Sequence, residues 1–142
     1  NLAVYLEGLC VQLKRAQGGG LERVQLVTRF EPVEVGIDQA IPCGLILNEL
    51  VTNAYKHAFP VDRAPTAPAM QVTLTRVAAE TVCLRVADNG IGLPEDFALE
   101  RLNSLGLNLV RDLAVQLHGE LQIGQGAGTS IAVIFKPVPG RS

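Results

Sequence analysis

The stretch Ile41–Pro60, IPCGLILNELVTNAYKHAFP, decides how the rest of the chain is read. Leu47, Leu50, Val51, Ala54 and Ala58 recur at helical spacing and form an apolar stripe, while Glu49, Thr52, Asn53, Lys56 and His57 gather on the other side. One face packs and the other is left to act. A solvated helix surface is the ordinary explanation of such a polar face. Here the residue types are unusual. Glu49 and Asn53 stand four apart, so a carboxylate and a carboxamide point the same way one turn from each other, with Lys56 on the turn beyond. That layout suits a metal ligand, a proton acceptor and a phosphate-binding cation.

Upstream of this helix, Asp38 reads as its N-cap, with Ile41 and Pro42 in the first turns, where proline is tolerated. Val24 to Phe30 alternates and predicts a strand, followed by an extended return over Pro32 to Gly36. Leu2, Leu6, Leu9, Leu13 and Ala16 predict an N-terminal helix, ended by Gly18, Gly19 and Gly20. Downstream, the helix is expected to end near Phe59 and Pro60, before a proline-containing surface loop over Val61 to Ala69. Met70 to Val77 and Val82 to Ala87 alternate on either side of Ala78 to Thr81, the signature of a hairpin. Ser104 then opens a helix through Leu117, with Gly119 as its C-cap, and two closing strands, Glu120 to Gly124 and Ser130 to Lys136, flank a Gly-rich turn. These elements sum to an α/β, or α+β, two-layer sandwich: a mixed, mainly antiparallel sheet with helices packed on one face.

Composition bounds the function. At 142 residues, 48% hydrophobic and 18% charged, the chain suits one compact domain and argues against disorder. A net charge of −2, no Trp and no basic stripe give no reason to propose a nucleic-acid partner. No apolar run approaches the roughly twenty residues of a membrane span. The three cysteines, Cys10, Cys43 and Cys83, are widely separated and set among apolar residues. They read as reduced core thiols of a cytoplasmic protein, not as a zinc site or a disulfide framework. The chain begins without Met, directly in a predicted helix, as expected of a piece of something longer.

Three further motifs carry possible chemistry. Asp88-x-Gly90-x-Gly92 falls where a strand ends. A tight turn alone would explain it. In the functional reading Asp88 accepts a hydrogen bond from the exocyclic amine of a base, and the glycines let the backbone approach the ligand. Such an acceptor rejects a base with a carbonyl at that place. Ser104-Leu105-Gly106-Leu107 puts a glycine at a helix start, where exposed amides and the helix dipole favour a di- or triphosphate, although ordinary capping by Ser104 also fits. Gly126-Ala127-Gly128-Thr129 is compatible with a simple hairpin turn.

Taken in order, the motifs resemble the Bergerat-type ATP-binding domain shared by DNA gyrase, the chaperone Hsp90, histidine kinases and the mismatch-repair protein MutL. Within that superfamily the chain looks most like sensor histidine kinases with the N-box NELxxNAxKHAF (HWE/HisKA_2-like), here Asn48 to Phe59. The resemblance runs from Tyr5, Leu6 and Leu9 through Phe135. It implies that Asn53 ligates Mg²⁺, that Lys56 approaches the terminal phosphates of ATP, and that His57 lines the nucleotide's edge. It implies further that Asp88 holds the adenine amine, with Gly90 and Gly92 shaping the base pocket and Thr129 helping to fix the base. Leu105, Gly106 and Leu107 would supply phosphate contacts from the lid side. Glu49 aligns with the carboxylate that orients attacking water in hydrolysing relatives and assists the acceptor in this kinase subgroup. Glu49, Asn53 and Lys56 are therefore the expected catalytic residues. The expected lid, Leu93 to Asn103, is short, with Arg101 as a candidate phosphate partner, and Ser104 stands where the glycine box commonly has Gly.

The only histidines, His57 and His118, lie outside any phosphoacceptor setting, so the resemblance places the acceptor helix, and the homodimer contact it makes, upstream of Asn1. Residues 1–20 would then end that upstream helical region, 21–138 would be the ATP-binding catalytic domain and 139–142 a tail. A response regulator would be reached through the upstream domain. An ATPase or anti-sigma-type serine kinase would use the same pocket, and an upstream acceptor histidine separates the two. A nucleotide-sensing module would bind without turnover, and a structural domain with coincidental turns would not bind at all.

Overall fold

The computed structural model describes residues 1–16, 24–57, 67–90, 107–125 and 128–139. The chain starts with helix α1 (Leu2–Arg15), whose first turn is closed by Asn1, with Oδ1 accepting from the Ala3 amide at 2.9 Å. Strand β1 (Gln25–Phe30) alternates exposed and half-buried residues, as its sequence predicts. Helix α2 (Ile37–His57) follows, then the hairpin of β2 (Ala69–Ala78) and β3 (Thr81–Asp88). Helix α3 (Leu107–Gln116), β4 (Glu120–Gln125) and β5 (Thr129–Phe135) complete the described elements.

The strands form one five-stranded sheet in the order β1-β2-β3-β5-β4. β1 runs parallel to β2, as a strand pair joined across a helix can. The other pairs are antiparallel. Register decides what each face carries. Met70, Val72 and Leu74 stand opposite Asp88, Val86 and Leu84, and Val82, Leu84 and Val86 stand opposite Phe135, Val133 and Ile131. These apolar residues are buried in one core with Leu2, Leu6 and Cys10 of α1, Ile46, Leu47, Leu50 and Val51 of α2, and Leu107, Val110 and Leu113 of α3. The two-layer sandwich expected from the sequence is the observed architecture. Asp88 is the exception on this face: a carboxylate at the end of an otherwise apolar, helix-covered row.

Two helix termini differ from expectation. α2 begins at Ile37, and the Gly36 carbonyl accepts from the Gln39 and Ala40 amides at 3.1 and 2.9 Å, so Gly36 occupies the cap and Asp38 sits in the first turn. An acid there complements the helix dipole without capping. Pro42 consequently lies inside the helix, where its missing N–H removes the bond to the Asp38 carbonyl. At the end of α3 the left-handed residue is His118, with φ 53°, and not Gly119. The Gly119 amide reaches the Ala114 carbonyl and the His118 amide the Val115 carbonyl, both at 2.9 Å, a Schellman closure displaced by one residue. Glycine is required at 119 for space: an added Cβ would lie 2.7 Å from the Ile134 carbonyl oxygen.

The cysteines are free and buried. Burial pushes the thiols of Cys10 and Cys43 up to about 11 and about 12, which keeps them protonated and unreactive. Among the described residues no helix is long and apolar enough to cross a membrane.

Candidate functional site

The site is organised by the turn that follows β3. Asp88 Oδ1 accepts from the Gly90 amide at 2.9 Å and from the Thr129 amide at 3.4 Å, so one carboxylate oxygen joins the end of β3 to the start of β5. Among the described residues these bonds fall on Oδ1, which leaves Oδ2 to accept from a ligand. Burial raises the Asp88 pKa, and the Gly90 and Thr129 amides pull against it. A carboxylate held by backbone amides in a desolvated place, one oxygen committed and one open, is suited to read a single donor on a ligand.

The turn leaves no room for variation on the β5 side. A Cβ added to Gly128 would lie 1.9 Å from the Asp88 carbonyl oxygen, 2.8 Å from its carbonyl carbon and 3.0 Å from the Asn89 Cα. Gly128 therefore packs by its Cα on the Asp88–Asn89 peptide and brings the Thr129 amide within reach of Oδ1. Its glycine is visible in the sequence, yet only the register of Asp88 opposite Thr129 shows that the residue builds the site. Asn89 is the other residue that motif reading passes over: its side chain bonds Ala69 and Ala67 across the mouth of the hairpin.

The second half of the site lies on α2. Glu49 and Asn53 are both half-buried, one turn apart, on the side opposite the buried Leu47, Leu50, Val51 and Ala54. Lys56 and His57 fall in the last turn of the helix, and their side chains lie outside the described set. Tyr55, between Asn53 and Lys56, points the other way into the core, where its hydroxyl is buried and unpartnered among the described residues. Leu107 opens α3 with its side chain in the core, so it can offer a ligand only its backbone amide. Gly92, the expected lid with Arg101, and Ser104, Leu105 and Gly106 lie outside the described residues, as do Gly126 and Ala127.

Two depressions mark the described surface. One of about 330 Å³ is lined by Val27, Ala69, Met70, Gln71, Ala87, Asp88 and Asn89. Val27, Gln71 and Ala87 alternate away from the core, so this hollow opens mainly on the face of the sheet opposite α1, α2 and α3. The other, of about 540 Å³, lies at the opposite end of the sheet beside Arg76, Lys136 and Pro137 and contains no motif residue. Neither joins Asp88 to the polar face of α2.

Comparison with known proteins bears on the same residues. Residues 38–139 match the family described as histidine kinase-, DNA gyrase B-, and HSP90-like ATPase. The chain is 31% identical over 137 residues to blue-light-activated histidine kinase 2 of Erythrobacter litoralis, covering 96% of this chain and 38% of that protein. It is 35% identical over 106 residues to the sensor histidine kinase PdtaS of Mycobacterium tuberculosis, covering 73% of this chain and 20% of PdtaS. The chain thus spans well under half the length of these relatives. Among solved structures, the Erythrobacter litoralis EL346 blue-light activated histidine kinase superimposes with a TM-score of 0.84 at 29% identity, over 96% of this chain and 42% of that one. The catalytic domain of histidine kinase ThkA shares the fold, with a TM-score of 0.72 at 15% identity, over 98% of this chain and 95% of that one. A half-buried Glu-x-x-x-Asn pair on one helix, an amide-bound aspartate closing a strand, and a profile match across both place the chain in the histidine kinase-, DNA gyrase B-, and HSP90-like ATPase family.

Proposed function

We propose that this chain is the ATP-binding catalytic domain of a cytoplasmic sensor histidine kinase of the NELxxNAxKHAF subgroup, which passes the γ-phosphoryl group of Mg-ATP to a histidine on another segment of the whole protein. The observation that carries the reading is the Asp88 turn, where Gly90 and Thr129 occupy one carboxylate oxygen and leave the other for the adenine 6-amino group. Family membership and relatives named as sensor histidine kinases support it. On this reading residues 21–138 form the catalytic unit, residues 1–20 continue an upstream helical acceptor region that dimerises, and a response regulator takes the phosphoryl group from that region.

The residues divide the work by chemistry. Asp88, ionised, accepts from the adenine amine and excludes a guanine carbonyl, while Gly90, Gly92 and Thr129 border the base. Asn53 presents a carboxamide oxygen, a hard neutral donor that fits Mg²⁺, and no group of three His, Cys, Asp or Glu among the described residues forms a protein cage. Mg²⁺ commonly takes few protein ligands and completes its shell with phosphate and water, so a single amide donor is compatible with it. Bound there, the ion would neutralise charge on the phosphates. Lys56, His57, Leu105, Gly106 and the Leu107 amide at the start of α3 hold the phosphate chain. Glu49 orients the attacking imidazole or takes its proton. Most of the rate then comes from positioning and electrostatics.

The test is thermal unfolding with ATP, ADP or GTP, each with and without Mg²⁺. A ligand at about a hundred times its dissociation constant adds roughly 2.7 kcal/mol, a shift of several degrees for a domain of this size. Adenine nucleotides are expected to stabilise and GTP not to, and Asn53→Ala is expected to remove the Mg²⁺-dependent increment alone. Equal shifts with GTP would defeat the Asp88 assignment, and an unchanged Mg²⁺ increment in Asn53→Ala would defeat the metal assignment.

A further inference from the structure

The Asn89 carboxamide is engaged at both of its ends. Oδ1 accepts from the Ala69 amide at 2.8 Å, Nδ2 donates to the Ala67 carbonyl at 2.9 Å, and the Asn89 backbone amide donates to the Ala69 carbonyl at 3.2 Å. These bonds extend the β2–β3 ladder beyond its last pair, Met70 with Asp88. Pro68, between the residues held, accepts from the Gln25 amide at 2.9 Å, so the same segment also fixes the start of β1. Asn89 is exposed, where water would satisfy a carboxamide without help from the protein. Its bonds therefore impose a conformation and do not merely relieve desolvation. That conformation is the one in which the next residue, Gly90, donates to Asp88 Oδ1.

We infer that Asn89 is a positioning residue for the nucleotide. By stapling residues 67–69 to the peptide that follows Asp88, it presets the orientation of the Asp88 carboxylate and the Gly90 amide before the base arrives. The inference rests on Asp88 being the adenine acceptor. Asn89 itself does not touch the base. Without the staple the turn samples several orientations, and ligand binding must order it, which weakens affinity without altering any contact to the ligand. The staple needs a donor and an acceptor on one short side chain. A carboxylate keeps the bond from Ala69 but sets an oxygen against the Ala67 carbonyl, so Asn89→Asp is expected to behave like Asn89→Ala and not like the parent.

The test is calorimetric titration of the 142-residue chain with ATP and with ADP, each with and without Mg²⁺, well below the unfolding transition of each variant. Loss of two hydrogen bonds that order the turn is expected to weaken binding of Asn89→Ala by roughly tenfold, by the same factor in every ligand and metal condition, because the affected end is the adenine common to all. A merely structural role would lower the unfolding temperature and leave these affinities alone, and that result overturns the inference. A factor that changes with Mg²⁺ or with the γ-phosphate also overturns it, since the residue would then act on the phosphate end. Asp88→Asn, measured beside it, separates the levels. If Asp88→Asn loses adenine nucleotides while Asn89→Ala binds like the parent, only the staple fails; if Asp88→Asn also binds like the parent, the acceptor reading and the staple fail together.

Discussion

Gln39 and Asn89 perform the same operation at opposite ends of strand β3. Gln39 Nε2 donates to the Lys136 carbonyl at 2.9 Å and its Oε1 accepts from the Val138 amide at 2.6 Å. Asn89 treats Ala67 and Ala69 in the same way. In each case one carboxamide bonds the carbonyl of one residue and the amide of the next but one, as a neighbouring strand would. Their surroundings separate them. Gln39 is buried, with 9% exposure, and ties the tail after β5 to the first turn of α2, away from any motif. Asn89 is exposed and adjoins Asp88. On the proposed reading, the same bonding pattern serves stability where water is excluded and preorganisation beside the carboxylate that takes the base.

The sharpest way to break the comparison is at the residue on which the Asp88 turn rests. Gly128→Ala would place a methyl group 1.9 Å from the Asp88 carbonyl oxygen, with backbone and not a flexible side chain in the way. It is expected to destabilise the chain by about 3 kcal/mol or more and to abolish stabilisation by ATP, because Thr129 is pushed off Oδ1. Retained ATP stabilisation at near-parental unfolding temperature would show that the turn is not packed as described.

Asp88→Asn should act in opposite directions on binding and on stability. Removing the charged acceptor is expected to weaken ATP binding by about a hundredfold, read by calorimetry. The ligand-free chain should become more stable at neutral pH. The folded-state pKa of Asp88 is raised by burial, so the stability linked to its protonation is present below the ordinary carboxylate value of about 4 and is lost as pH rises through the folded-state value. The gain in Asp88→Asn should accordingly be small in acid and grow with pH to a plateau. A gain that shrinks as pH rises would mean that the amide bonds outweigh desolvation.

Gln39→Ala sharpens the comparison from the other end. It strands the Lys136 carbonyl and the Val138 amide in a partly buried place and is expected to cost about 2 kcal/mol, or roughly 5 °C in unfolding temperature. Nucleotide affinity should stay within about twofold of the parent. A comparable loss of affinity in Gln39→Ala and Asn89→Ala would erase the distinction between the two amides.

Much of this was open to reading in the chain itself. Period-two alternation at Met70–Val77 and Val82–Ala87 fixes which residues share a face, and that pattern holds in the register as far as Thr75, before the irregularity between Arg76 and Ala78 where β2 becomes exposed on every residue. The helical stripe of Leu47, Leu50, Val51 and Ala54 likewise predicts the buried side of α2 and leaves Glu49 and Asn53 outside the core. Helix ends were less legible. Gly36 takes the cap that Asp38 would serve by preference, and His118 adopts the left-handed conformation expected of Gly119, because packing of Gly119 on the Ile134 carbonyl sets where the chain must turn.

The amino-acid sequence alone determined the elements, the two faces of each and the order of the motifs, because side-chain periodicity and backbone preference act between near neighbours. Only the tertiary structure decided that Asp88 Oδ1 is held by Thr129, that Gly128 must lack a Cβ, and that Gln39 secures residues 97 and 99 positions away. Those relations depend on which strand lies beside which and in what register. Neither exists until the distant parts of the chain have packed together around one core.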